Sequence, residues 1–166
     1  MPSGPSACWT PGSRRALEFG EVASDWADAM LTMLEAPSPA VLTTYRKDDS
    51  AAATPVWYRW HDGAFEIVIA VGDVKLRHLE RRPECTFVVF ETAYPFRGLE
   101  VRGVTPEVVE TDVTEIRISI AGRYLGGRAE GERYASQRTK PGVLVRLRAD
   151  EPRVGDLREM LPAPGA

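Results

Sequence analysis

Bulky apolar residues recur at every second position through Phe65, Ile67, Ile69 and Val71, the period of a strand with one buried face. Gly72-Asp73 turns that strand into a short helical stretch, which stops before Pro83 because the residue ahead of a proline is pushed out of helical geometry. Residues 85–91 follow as another strand. Upstream the period is helical. Ser24 suits a cap, Asp25 and Asp28 suit the positive end, and Trp26, Met30, Met33 and Leu34 form one core-facing stripe, closed off by Pro37 and Pro39. Residues 39–46 then alternate as a strand, 47–50 read as a hairpin turn, and 51–60 as the returning strand. Asp62-Gly63 turns it into 64–71.

Downstream, residues 94–98 connect to a long strand over 99–109. A helix is expected from Asp112, with Glu115 as capping-box partner and Val113, Ile116, Ile120 and Tyr124 on one face, widened by Ile118, Ala121 and Leu125. Gly126-Gly127 ends it. Residues 130–138 read as a charged helix and 142–149 as a last strand with Val143, Val145 and Leu147 inward. A short helical turn is expected at 156–161. The pattern predicts a mainly β fold of six antiparallel strands with helices, either a small closed barrel or an α+β sandwich. Residues 1–23, rich in Pro and Gly, read as a loose arm, 24–150 as the domain and 151–166 as a tail.

Composition narrows the function by exclusion. A net charge of −3 does not suit a general nucleic-acid binder. The cations Lys75, Arg77, Arg81, Arg82, Arg97 and Arg102 bunch together but are interleaved with Glu80, Glu84 and Glu100. Cys8 and Cys85 stand alone and only His61 and His78 are present, so neither a disulfide framework nor a metal centre is indicated. There is no membrane-length apolar run and no secretory leader pattern, which points to the cytoplasm.

Two places carry candidate chemistry. Lys75 falls in the first turn of a helix, where a cation is disfavoured unless an anion shares the site; the alternative is a lysine turned to solvent. Pro55 interrupts a strand, which implies an edge or a bulge. The small residues Ala51 to Thr54 beside Trp57, Tyr58 and Trp60 leave room for a planar heterocycle, or else the aromatics simply fill a core. No Ser-His-Asp, Cys-His or paired-carboxylate arrangement supplies a nucleophile.

The marks P-V-W on the second strand, strand–turn–K-x-R-x-L-x-R-x-P, Y-P-F-R-G-L-E-V-R-G and a helix ending R-Y-L-G occur in that order over residues 39–147. In this the chain resembles the split-barrel flavoproteins related to pyridoxamine 5′-phosphate oxidase, and among them the branch using the deazaflavin coenzyme F420. The resemblance implies a split barrel and a homodimer with cofactor sites at the subunit interface. It implies that Lys75 and Arg77 hold the cofactor phosphate, and that Pro55, Val56 and Trp57 with Ile69, Ala70, Val71 and Gly72 line the ring. It also implies that residues 94–98, including Arg97 and Gly98, approach from the partner subunit. The activity expected is hydride transfer between F420 and a small organic acceptor, with Tyr94, Arg97 through a water, or solvent as proton donor. An FMN-dependent oxidase or reductase is the alternative, and a non-catalytic flavin-binding protein the third reading. For F420, with its long anionic tail, the expected basic groove is drawn from Arg81, Arg82, Arg97 or Arg102.

Overall fold

The structure, a computed structural model, describes residues 25–94, 96–149 and 152–156. The arm at 1–23, with Cys8, the Ser24 cap and residues 157–161 of the expected C-terminal turn lie outside that set, as does the side chain of Trp26. Helix α1 (Asp25–Glu35) precedes strands β1 (Ala40–Tyr45), β2 (Ala51–Val56), β3 (Arg59–His61) and β4 (Ala64–Ala70). Helix α2 (Val74–Arg81) leads to β5 (Cys85–Phe90), β6 (Gly98–Val104) and β7 (Glu107–Val109). Helices α3 (Thr114–Leu125) and α4 (Arg128–Ser136) are followed by β8 (Gly142–Arg148) and β9 (Arg153–Gly155).

Among the described residues nine strands form two antiparallel sheets, ordered β2-β1-β5-β6-β9 and β3-β4-β8-β7. The expected count of six is corrected by two corners and one addition. The stretch 51–60 breaks after Val56 because Tyr58 turns fully inward, its hydroxyl donating to the Leu34 carbonyl at 3.3 Å, and the chain re-enters the other sheet as β3. The stretch 99–109 breaks at 105–106, where Pro106 follows Thr105 and the chain passes from the first sheet to the second. Strands that switch sheets at corners are how two packed sheets close on one core. Arg153–Gly155, placed in the tail by sequence, adds β9 beside β6.

The core lies between the sheets. Leu42, Tyr58, Phe65, Phe87, Val89, Val145 and Leu147 are fully buried there, with Met33 and Leu34 of α1 against one end. Phe65, Ile67 and Ile69 are buried as the alternation predicted, but Val71 is half exposed because β4 has ended at Ala70. Val113 just ahead of α3, and Ile118, Ile120 and Ala121 on it, are buried, while Leu125 is exposed. The helix starts at Thr114 rather than Asp112, whose carboxylate accepts from the Thr114 N–H at 3.0 Å and hydroxyl at 2.7 Å. No capping box forms, since Glu115 pairs with Arg128 at 3.1 Å. Gly126 ends α3 in the left-handed conformation, φ 101°. Helix α4 then packs back on α3 so closely that a methyl at Gly131 would meet the Ile118 carbonyl oxygen at 2.3 Å. Cys85 is buried, and desolvation pushes its thiol up to about 12, so it takes no part in thiolate chemistry.

Across the outer face of the second sheet runs an ion-pair row in strand register. Arg59 and Arg146 stand opposite Glu66 from either side, and Glu107 stands opposite Arg146. The buried Glu66 carboxylate accepts from Arg59 at 2.6–2.7 Å and lies 3.1 Å from Arg146 Nε, while Arg146 reaches Glu107 at 3.7 Å.

Candidate cofactor and substrate site

A cavity of about 860 Å³ opens where the β1–β2 edge of the first sheet parts from β4 of the second. One wall is strand backbone: Pro55 and Val56 at the end of β2, then Trp57, faced by residues 67–70 of β4. Pro55 is tolerated because β2 is an edge strand of this chain's sheet, paired only with β1, where Pro55 stands opposite Val41. It is an edge proline and not a bulge. The roof is α3, α4 and the segment after α4, contributing Arg117, Tyr124, Tyr134, Arg138 and Lys140. That volume sits well within the range of small-molecule and cofactor pockets.

Aromatic rings line the roof side. Trp57 stacks on Tyr124 at 5.2 Å and 8°, and on its other contact meets Tyr134 at 5.3 Å. Arg123, directly before Tyr124, fixes this wall from behind. Its guanidinium donates to the carbonyls of Leu34, Ala36 and Tyr58 and lies 4.4 Å over the Tyr58 ring, tying α3 to the end of α1. The Tyr124 hydroxyl donates to the Ser38 carbonyl at 2.9 Å, and burial, with the neighbouring Tyr58, pushes its pKa up to about 12. Tyr124 is therefore a neutral, anchored wall.

The corner after β4 answers the question raised by Lys75. Asp73 caps α2, its carboxylate accepting from the Lys75 N–H at 2.9 Å, and the Lys75 ammonium folds back onto the same carboxylate at 2.9 Å. Burial alone would raise the Asp73 carboxyl, but the Lys75 amide and ammonium, helped by Arg77, hold it below the usual range. The first-turn lysine thus has a local counter-charge, and an arriving anion would share the ammonium with Asp73. Asp73→Asn keeps a good helix cap while removing that competing charge. Phosphate-bearing ligands are expected to bind the variant about fivefold tighter, roughly 1 kcal/mol for one nearby charge at intermediate dielectric. Calorimetric titration checks this, and weaker binding would mean that Asp73 orients Lys75 more than it competes for it.

Of the residues singled out from sequence, Pro55, Val56, Trp57, Ile69, Ala70 and Lys75 come together in the cavity. Val71 and Gly72 stand exposed at its rim, between Ala70 and Asp73, and Arg77 is exposed on α2. Tyr94, Arg97 and Gly98 do not line this cavity: Gly98 pairs with Phe90 in β6, and Arg97 binds Glu91 through its backbone N–H at 3.0 Å and its Nε at 2.9 Å. The basic groove expected from Arg81, Arg82, Arg97 and Arg102 is engaged elsewhere. Arg81 donates to the Tyr45 carbonyl, Arg82 meets Asp49 and Glu84, and Arg102 meets Glu100. Sequence reasoning passed over Arg117, Tyr134, Arg138 and Lys140. One signal was readable: the residue four before Arg138 is Tyr134, with no acid to pair with it, and the guanidinium lies 4.3 Å over that ring. Among the described residues no group of metal-ligating side chains forms, and no helix is long and apolar enough to cross a membrane.

The sequence model of the pyridoxamine 5′-phosphate oxidase family matches residues 27–154. The chain belongs to this family. The two-sheet barrel is accordingly the family's split barrel, a flavin-binding fold with oxidoreductases among its neighbours. Solved structures agree on the fold. A conserved hypothetical protein from Mycobacterium tuberculosis superimposes with a TM-score of 0.70 at 24% identity, covering 87% of this chain and 92% of its own. An F420 reductase gives 0.59 at 21% identity, covering 74% and 94%. A FAD-binding protein from Mesorhizobium loti gives 0.54 at 14%, covering 77% and 90%. No curated protein matches the chain in sequence.

Proposed function

We propose that this member of the pyridoxamine 5′-phosphate oxidase family is an oxidoreductase that transfers a hydride between coenzyme F420 and a small organic acceptor. The observation that carries this reading is the meeting, in one cavity, of a strand-built wall, an aromatic stack and the Lys75 corner. A planar tricycle with a phosphate fits such a set. The Lys75 ammonium, shared with Asp73, would hold the phosphate, and the backbone of residues 55–57 and 69–70 would border the ring. When bound, the deazaflavin supplies the two-electron chemistry. The chain's own part is to orient the ring, narrow the access of water through the Trp57–Tyr124–Tyr134 wall, and fix the anion. A homodimer in which residues 94–98 reach the partner's cavity accounts for the placement of Tyr94 and Arg97 away from their own. Phe90, Phe96 and Val154, exposed around the β5–β6–β9 end, offer apolar surface for such a contact.

Titration of the purified protein with F420 and with FMN, read by thermal shift and by the cofactor's fluorescence, tests the assignment. F420 is expected to bind more tightly and to raise the melting temperature further. Binding of neither would overturn the reading, and binding of FMN alone would move it to the flavin-dependent alternative. Tight F420 binding without reoxidation of the reduced form by any unsaturated or heteroaromatic acceptor would make the protein a carrier.

A further inference from the structure

Three cations on the roof of the cavity, Arg117, Arg138 and Lys140, have no carboxylate partner among the described residues. Other arginines nearby behave differently. On α4 itself, Arg128 pairs with Glu132 and Glu115, and Arg133 with Glu130. The roof cations are also partly held in place. The Arg117 guanidinium donates to the Lys140 carbonyl at 3.4 Å, and Arg138 lies over Tyr134, which in turn touches Trp57. Among the described residues the one carboxylate lining the cavity, Asp73, is already engaged by Lys75. A concave site with one uncompensated sign of charge concentrates the opposite ion, here in a chain whose net charge is −3.

We propose that Arg117, Arg138 and Lys140 form a second anion subsite, for carboxylates, on the roof and apart from the α2 corner. The guanidinium fork matches a planar carboxylate in two-point contact, and two of the three cations carry that fork. The aromatic surface of Trp57, Tyr124 and Tyr134 beside it favours a carboxylate attached to a flat apolar body. Such a group has two possible sources: an aromatic acid serving as acceptor, or the anionic tail of a deazaflavin cofactor. The assignment of the α2 corner to a cofactor phosphate rests on the function proposed above; the roof subsite stands on its own residues.

The test compares matched pairs by isothermal titration calorimetry on the wild type and on the double variant Arg138→Gln/Lys140→Gln. One pair is 2-naphthoate and 2-naphthamide, with and without cofactor present. The other is F420 and the same deazaflavin phosphate lacking its tail. Both substituted residues are exposed, and circular dichroism with a melting curve checks that the variant folds; Arg138→Ala alone serves as a second variant. In the wild type at least one pair is expected to show a preference of tenfold or more for the charged member, weakened by added salt and reduced to within twofold in the variant. A preference within the naphthyl pair identifies an acidic acceptor; one confined to the cofactor pair identifies the tail. Equal binding within both pairs, or a preference that survives the double substitution, overturns the subsite. FMN, a phosphate without a tail, is titrated alongside Lys75→Ala. If that substitution leaves FMN and F420 binding unchanged while the roof preference persists, the corner assignment fails and the subsite holds.

Discussion

Glu66→Ala is expected to lower stability by about 2–4 kcal/mol, the range for removing one partner of a buried ion pair, discounted because the arginines keep some solvent. For a chain of this size that corresponds to a melting temperature lower by roughly 10 °C. Glu66 is 3% exposed, while the Arg59 and Arg146 side chains beside it retain 23% and 20% exposure. Without the carboxylate, Arg59 and Arg146 flank β4 with no acid between them, and Arg146 keeps Asp62 at 3.5 Å and Glu107 at 3.7 Å. Replacing all three residues with leucine is expected to recover most of the loss, because desolvation of the charges then disappears with the charges themselves. Urea denaturation of the single and triple variants measures both effects. A loss below about 1 kcal/mol for Glu66→Ala would show the row to be solvated and energetically idle.

Lys75→Ala is expected to weaken the binding of a phosphate-bearing cofactor by roughly 1.5–3 kcal/mol, the scale of a hydrogen bond to a charged group, or about ten- to a hundredfold in Kd. Asp73 would keep its cap on the Lys75-position amide, so α2 is expected to remain formed and the loss to be specific to binding. The side chain is 17% exposed in its pairing with Asp73, so the anion must compete with that carboxylate and the effect belongs toward the lower end. Fluorescence titration with F420 and absorbance titration with FMN both report it. Affinities equal to wild type in both would remove the α2 corner from the site.

The strands and helices were legible wherever the period was long and clean. Phe65, Ile67 and Ile69 announced β4, and Ile120 and Tyr124 announced α3. The corners were not, because a chain leaving one sheet for another keeps its apolar and aromatic character through the bend; Trp57 and Tyr58 look like any strand pair, although one lines a cavity and the other is core. Lys75 stood out by its place at a helix start, but its partner was two residues away, in a turn that gave no sign of which way Asp73 pointed. The roof cations were hidden for a different reason. Arg117 belongs to α3 while Arg138 and Lys140 belong to the segment between α4 and β8, and only the return of α4 against α3 and the pairing of β8 with β4 bring them together over the strands.

The tight crossing at Gly131 has a wider consequence. With no room for a side chain between them, the two helices of the roof are packed as a single plate, built from one uninterrupted stretch of sequence between β7 and β8. The anion corner and the strand wall belong to other parts of the chain. Selection can therefore redraw what the molecule accepts by editing that plate, while the α2 corner and the strand wall, proposed above to hold a coenzyme, stay as they are.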